Sequence, residues 1–353
     1  MKKSLIALAV LAAAGAASAQ SSVTLFGIVD ATLAFGRGTV SDKTQLTDSG
    51  YNSSRLGFRG TEDLGGGMSA SFWLEAGINN DNGTGDATNT NNQASGGALA
   101  GMNGSQGLTF NRRSTVSLAG GWGEVRLGRD YSPQFWNLTV FDPFGTNGAG
   151  TTQTLNSIIT GVTSVRVSNS MAYFLPGNLG GFYGQVQYYL GENNETGAVT
   201  EDDGRGIGLR VGFANGPFNV ALALSRTDYA AGDVRQNNIG GQWDFGIAKV
   251  MAHISRDKNG TVDGKGWLIG GLFPVGAGEI RASYSRYETD AAGQPESKKF
   301  ALGYVHNLSK RTAVYTTWAR VKNDGGAAQG LNGAVTAAND SSTGLDIGIR
   351  HSF

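Results

Sequence analysis

Few side chains in this 353-residue sequence could do bond chemistry, and their spacing is wrong for it. Three histidines, His253, His306 and His351, fall in separate segments, with no neighbouring nucleophile pattern and no second histidine at metal-binding spacing. A histidine without partners is not a catalytic or metal site. The G-x-S-x-G turn of serine hydrolases is absent, and Gly264-Lys265 lacks both the earlier glycine and the following hydroxyl of a phosphate-binding loop. The expectation is therefore no enzyme, no cofactor and no metal. What remains is fixed charge. Arg55 and Arg59 share one face of a segment whose other face carries Leu56 and Phe58. Guanidinium groups in such a row attract and sort anions but make and break no bonds.

The elements that position those charges are strands. With 56 glycines, 6 prolines and hardly any apolar run at helical spacing, a mostly helical chain is improbable, since each interior glycine costs a helix about 1 kcal/mol. The periodicity that does appear is two. Leu345, Ile347, Ile349, His351 and Phe353 alternate with Gly344, Asp346, Gly348, Arg350 and Ser352. Phe218, Val220, Leu222 and Leu224 alternate with Asn219, Ala221, Ala223 and Ser225, and Ile280, Ala282 and Tyr284 with Glu279, Arg281 and Ser283.

Between the strands, long polar segments near 37–52, 80–108, 132–167, 192–203, 228–236, 257–264, 289–297 and 322–342 take turns with short ones near 62–67, 120–123, 176–181, 214–217, 244–246, 274–278 and 307–311. That rhythm implies an all-β, up-and-down antiparallel meander of about sixteen strands. A soluble β-sandwich, as in a secreted adhesin, also alternates; the strict exchange of long and short connections favours a transmembrane β-barrel with long external loops and short periplasmic turns. In lipid every backbone polar group must be satisfied internally, so strands span only as a closed barrel. A ring of about sixteen strands is too wide for its own side chains to fill and leaves an aqueous lumen. Tyr188, Tyr189, Tyr284, Tyr287, Tyr304, Tyr315 and Phe353 are expected in interfacial girdles.

The first residues suit export. Lys2 and Lys3 precede an apolar run from Leu5 to about Ala17, closed by Ala17-Ser18-Ala19, which reads as a signal peptide over 1–19 followed by one domain over 20–353. Its removal takes two lysines, leaving 26 basic and 28 acidic side chains, a balance with no footing for nucleic acid. The chain has no cysteine although it enters a compartment where disulfides form, so its stability must come from packing and ladder hydrogen bonds.

Together with this rhythm, Ser54-Arg55-Leu56-Gly57-Phe58-Arg59-Gly60, Glu124-Val125-Arg126-Leu127-Gly128-Arg129 and the last residue, Phe353, resemble the Gram-negative general diffusion porins. Val23-Thr24-Leu25-Phe26-Gly27 and Arg166-Val167-Ser168-Asn169-Ser170 are most similar to the neisserial and β-proteobacterial branch. The resemblance implies an outer-membrane homotrimer passing ions and small hydrophilic solutes, each barrel narrowed by an inward-folded third loop, here about 132–165. It further implies a constriction of Arg55, Arg112 and Arg166, with Arg113 as a substitute for Arg112, facing Glu75 and Asp142, and hence a mild anion preference. Asp142-Pro143-Phe144-Gly145 stands where the family has Pro-Glu-Phe-Gly, which displaces the loop carboxylate by one position. A channel specific for sugars or anions, or an outer-membrane barrel enzyme, are the alternatives. Two loops invite further roles. The Asn- and Gly-rich loop near 79–107 is long enough to reach a neighbouring subunit or to form an external tip, and Glu195, Glu201, Asp202 and Asp203 suit an external loop facing lipopolysaccharide.

Overall fold

The alternation becomes a wall. The computed structural model describes residues 22–97, 105–155, 159 and 161–353; the expected signal peptide lies outside the described residues. Sixteen antiparallel strands run β1 (Ser22–Arg37), β2 (Arg55–Gly65), β3 (Met68–Asn79), β4 (Arg113–Gly120), β5 (Gly123–Tyr131), β6 (Arg166–Phe174), β7 (Phe182–Tyr189), β8 (Gly206–Asn215), β9 (Phe218–Thr227), β10 (Val234–Asp244), β11 (Lys249–Asn259), β12 (Val262–Val275), β13 (Gly278–Thr289), β14 (Glu296–Asn307), β15 (Thr312–Asp324) and β16 (Ser341–Ser352). Each pairs with its sequence neighbour, and β16 returns to β1 in a register from Ile28↔Ser352 to Arg37↔Thr343. Gly27 and Phe353 exchange both backbone hydrogen bonds beyond that register, and the Phe353 ring fills the space a Cβ on Gly27 would need. The ring has no open edge, which lipid requires and a sandwich lacks. No helix among the described residues is long and apolar enough to cross a membrane, so the crossing is made by strands.

The two faces sort as the period-two pattern predicts. On β9, Phe218, Leu222 and Leu224 stand on the exposed outer face while Ala221, Ala223 and Ser225 are buried inward. On β16, Ile347 and Ile349 face out and Asp346 is buried. Exposed apolar side chains around the whole circumference are a lipid-facing band, not a set of isolated surface residues. Of the tyrosines expected in the girdles, Tyr188, Tyr284 and Tyr304 are outward, as is Phe353. Tyr189, Tyr287 and Tyr315 are instead buried, and their hydroxyls bond Thr227, Asp257 and Asp30. Strand parity explains the split, since adjacent residues such as Tyr188 and Tyr189 point to opposite faces.

One rim carries short turns, at 66–67, 121–122, 216–217 and 276–277 among others. The opposite rim carries the long loops 80–112, 132–165, 190–205 and 325–340. Two expected long connections differ. Around 257–264 the chain makes a two-residue turn at 260–261, because Gly264 belongs to the wall, where a Cβ would meet the Tyr287 hydroxyl. The first connection is also not loop throughout 37–52. A short strand, Lys43–Asp48, pairs with β1, after which the chain leaves the ladder at 49–54 and rejoins it as β2. That excursion is held from β1, where the Asp30 carboxylate accepts the backbone N–H groups of Tyr51 and Asn52 at 2.9 and 2.6 Å. Loop 80–112 docks on the rim of its own barrel: the Asn92 amide donates to the Ser168 and Leu190 carbonyls at 3.0 and 2.9 Å, and Tyr229 donates to the Asn92 carbonyl.

Candidate functional site

Loop three fills part of the lumen, and the sequence of the wall makes room for it. It begins with helix α1 (Pro133–Val140), which opens with proline at its first position, where a missing N–H costs nothing, and Ser132 before it. The rest of the loop follows the inner wall through positions that lack a side chain. A Cβ at Gly208 would strike Pro133, at Gly240 Phe141, at Gly270 Pro143 and at Gly266 Thr154, and one at Gly303 would crowd Phe144. The loop tip, Phe144 and Ala149, is buried with Ala301, Ala319, Val321 and Leu331. Polar ties complete the seat: the Asn137 amide donates to the Ala221 carbonyl at 2.9 Å, the Gln134 amide to the Thr163 carbonyl at 2.9 Å, and the Ala149 N–H to the Asp346 carboxylate at 2.8 Å.

Opposite this seat stands the cluster of charge. Arg55 on β2, Glu75 on β3 and Arg113 on β4 occupy inward positions of one parity, set by the pairs Gly57↔Glu75 and Glu75↔Arg113. Arg112 precedes the regular strand, so the alternation rule does not turn it outward, and both Arg112 and Arg113 line the lumen. Glu75 is shared. It meets Arg112 at 2.6 Å and Arg55 at 3.4 Å and accepts the Trp73 indole N–H at 3.0 Å. Glu75 and Arg112 have side chains only 6% exposed, so this pair is desolvated and its loss on either side leaves a buried charge. Arg166 on β6 stacks over the Tyr131 ring at 4.7 Å and donates to its hydroxyl at 3.2 Å, while Arg112 donates to the same oxygen at 2.7 Å. Tyr131 in turn packs on Phe135 and Trp136 of α1, which ties the arginines to the loop.

Asp142 sits elsewhere. Its carboxylate turns back into loop three, accepting the N–H groups of Phe144, Thr152 and Thr146 at 2.9, 3.0 and 3.2 Å. Burial pushes this carboxyl up from the ordinary carboxylate value, against the pull of those donors and of Lys299. It shapes the loop tip and makes no ion pair with the arginines. The structure thus gathers Arg55, Glu75, Arg112 and Arg166, with Arg113 below them beside Asp130 at 3.6 Å, and leaves Asp142 on the loop side of the cavity. Sequence reasoning did not single out Tyr131, Arg210 or Arg281. The last two are also stacked, Arg210 on Tyr183 and Arg281 on Tyr51. The available signal was parity, since Arg281 alternates with Ile280 and Ala282.

The cavity between loop and wall measures about 960 Å³ and is lined by seven arginines against three carboxylates, Glu75, Asp130 and Asp142. Its chemistry is electrostatic: fixed positive groups in a narrow section set the sign of what passes. Comparison with known proteins gives the family. A family model described as Gram-negative porin matches residues 5–326. The chain is 40% identical to outer membrane porin protein 32 of Delftia acidovorans over the whole of both chains, and 35% identical to a major outer membrane protein P.IB of Neisseria meningitidis over 36% of this chain and 34% of that one. Among solved structures it is similar to an anion-selective porin from Comamonas acidovorans, with a TM-score of 0.82 and 37% identity over 94% of this chain and all of the other. A closed sixteen-strand ring, a lumen narrowed by its own third loop and a match along nearly the full length have one reading: the chain belongs to the Gram-negative porins of the outer membrane.

Proposed function

We propose that this porin passes ions and small hydrophilic solutes by passive diffusion with a mild preference for anions, and that Arg55, Arg112 and Arg166, with Arg113 beneath them, set that preference. The observation carrying the proposal is the imbalance at the cluster, where three guanidinium groups stand against one carboxylate, Glu75, which pairs with Arg55 and Arg112, while the loop carboxylate of Asp142 is occupied by backbone donors. The resemblance of the solved neighbour, itself titled anion-selective, supports the sign. No catalytic role is assigned, and export by cleavage after Ala19 and assembly as a homotrimer belong to the same proposal. External acids Glu195, Glu201, Asp202 and Asp203 face the lipopolysaccharide side in this reading; Asp202 pairs with Arg205 at 2.7 Å, and Asp203 accepts the Ala230 N–H at 2.6 Å. Reversal potential across a planar bilayer in a salt gradient tests the central claim. Anion preference in the native protein that falls in the Arg55→Ala, Arg166→Ala double variant supports it; cation preference, or a preference the double variant keeps, overturns it.

A further inference from the structure

The lumen holds a second basic pocket beside the constriction, sharing Trp73, Arg113 and Arg126 with it and adding Arg59. Arg59 lies four residues beyond Arg55 on β2, on the same inward parity and about 13 Å nearer the turn at 66–67, taking the strand rise of ~3.3 Å per residue. Its guanidinium carbon is 5.1 Å from the centre of the Trp73 ring and 5.2 Å from that of Phe26. Arg113 stands 4.6 Å from the same Trp73 ring. The two guanidinium carbons are therefore at most about 10 Å apart, roughly one Debye length at 0.1 M salt. Trp73 is itself fixed by its bond to Glu75, so the platform is rigid.

Charge in this pocket is incompletely matched. Arg126 is taken by Glu124 at 2.9 Å and Asp130 at 2.7 Å, and Arg113 shares Asp130 at 3.6 Å. Arg59 has no ion-pair or hydrogen-bond partner among the described residues, only the faces of two aromatic rings. Stacking covers the flat face of a guanidinium and leaves its N–H edge free for a planar or tetrahedral oxyanion. The space is there: a cavity of about 370 Å³ is lined by Arg59, Trp73, Arg113, Glu124 and Arg126.

We propose that Arg59 and Arg113, stacked on Trp73, form a second anion station between the constriction and the short-turn rim, holding one carboxylate or phosphate group in transit. This rests on the reading of the chain as an anion-preferring channel and adds a bound stop to it. The test is single-channel current in potassium chloride with inorganic phosphate added to either side, for the native protein, Arg59→Gln and Arg59→Lys, each first shown to fold by heat-modifiable migration. Native current should fall saturably with phosphate. The half-blocking concentration should rise about threefold or more in Arg59→Gln, less than a fully buried charged hydrogen bond would give because the lumen is wet. Arg59→Lys keeps the charge without the fork and should recover part of the block. An absent block in the native protein, or an unchanged half-blocking concentration in Arg59→Gln, overturns the station. The reversal-potential loss in Arg55→Ala, Arg166→Ala is read separately, so failure of the constriction and failure of the station are distinguishable.

Discussion

The two halves of the barrel wall are made by opposite means. From β2 to β6 the inward face carries large side chains, arginines whose guanidinium carbons lie over the rings of Trp73, Phe174 and Tyr131 and whose charges meet Glu75, Glu124 and Asp130. From β8 to β16 the inward face is carved by omission at several points where the loop touches, at Gly208, Gly240, Gly266, Gly270 and Gly303, and its arginines at the cavity are Arg210 and Arg281. One half supplies the basic charge; the other supplies a mould for the loop that narrows the lumen. A guanidinium in a wide aqueous pore would be screened beyond about 8 Å at physiological salt, so neither half suffices alone.

Substitutions can break this division. The largest effect is expected at Glu75→Gln, which leaves Arg112 and Arg55 unopposed at a desolvated site: about 3–5 kcal/mol of stability lost, seen as a lower temperature for heat-modifiable migration, with a stronger anion preference in the molecules that still fold. On the mould side, Gly240→Val places a side chain where the Phe141 ring lies. About 1–3 kcal/mol of strain should push the loop toward the lumen and lower single-channel conductance with little change in ion preference. Conductance unchanged in that variant would show that the loop is not seated by the glycines. The smallest effect is expected at a link between the halves. Ser53, in the excursion before β2, donates to the Asn147 side chain of the loop at 2.8 Å, and Ser53→Ala should cost about 1 kcal/mol and raise open-channel noise without shifting reversal potential.

How much of this could be read from the sequence differs between the halves as well. The strands were legible wherever outward apolar residues alternate with small or polar ones, as at Phe218–Leu224 and Leu345–Phe353, because lipid on one side and water on the other enforce the period. The turn at 260–261 is hidden among Asp257, Asn259, Asp263 and Gly264, since a glycine placed for a turn and a glycine placed to make room for a neighbour's ring look alike in one dimension. Parity alone could have divided Tyr188 from Tyr189 and Tyr284 from Tyr287. The arginines Arg55, Arg112 and Arg166 were named through family resemblance, and their meeting depends on Tyr131, whose position at the exit of β5 into the loop follows from tertiary packing alone. Asp142 was beyond reach of any periodicity. A loop has no alternation to say which way a carboxylate turns, and here three backbone N–H groups decide it.

Chain order adds a constraint on assembly. The strands that cradle loop three, carrying Gly208, Gly240, Gly266, Gly270 and Gly303, all come after it in sequence, and the seam joining Ile28 to Ser352 links nearly the two ends. That seam brings together the most distant partners and so carries the largest loop-closure entropy, which makes it the natural last step of folding. The mould for the loop is therefore complete only when the C-terminal strands are in place, so a barrel short of its last strands would lack part of the surface that sets the bore.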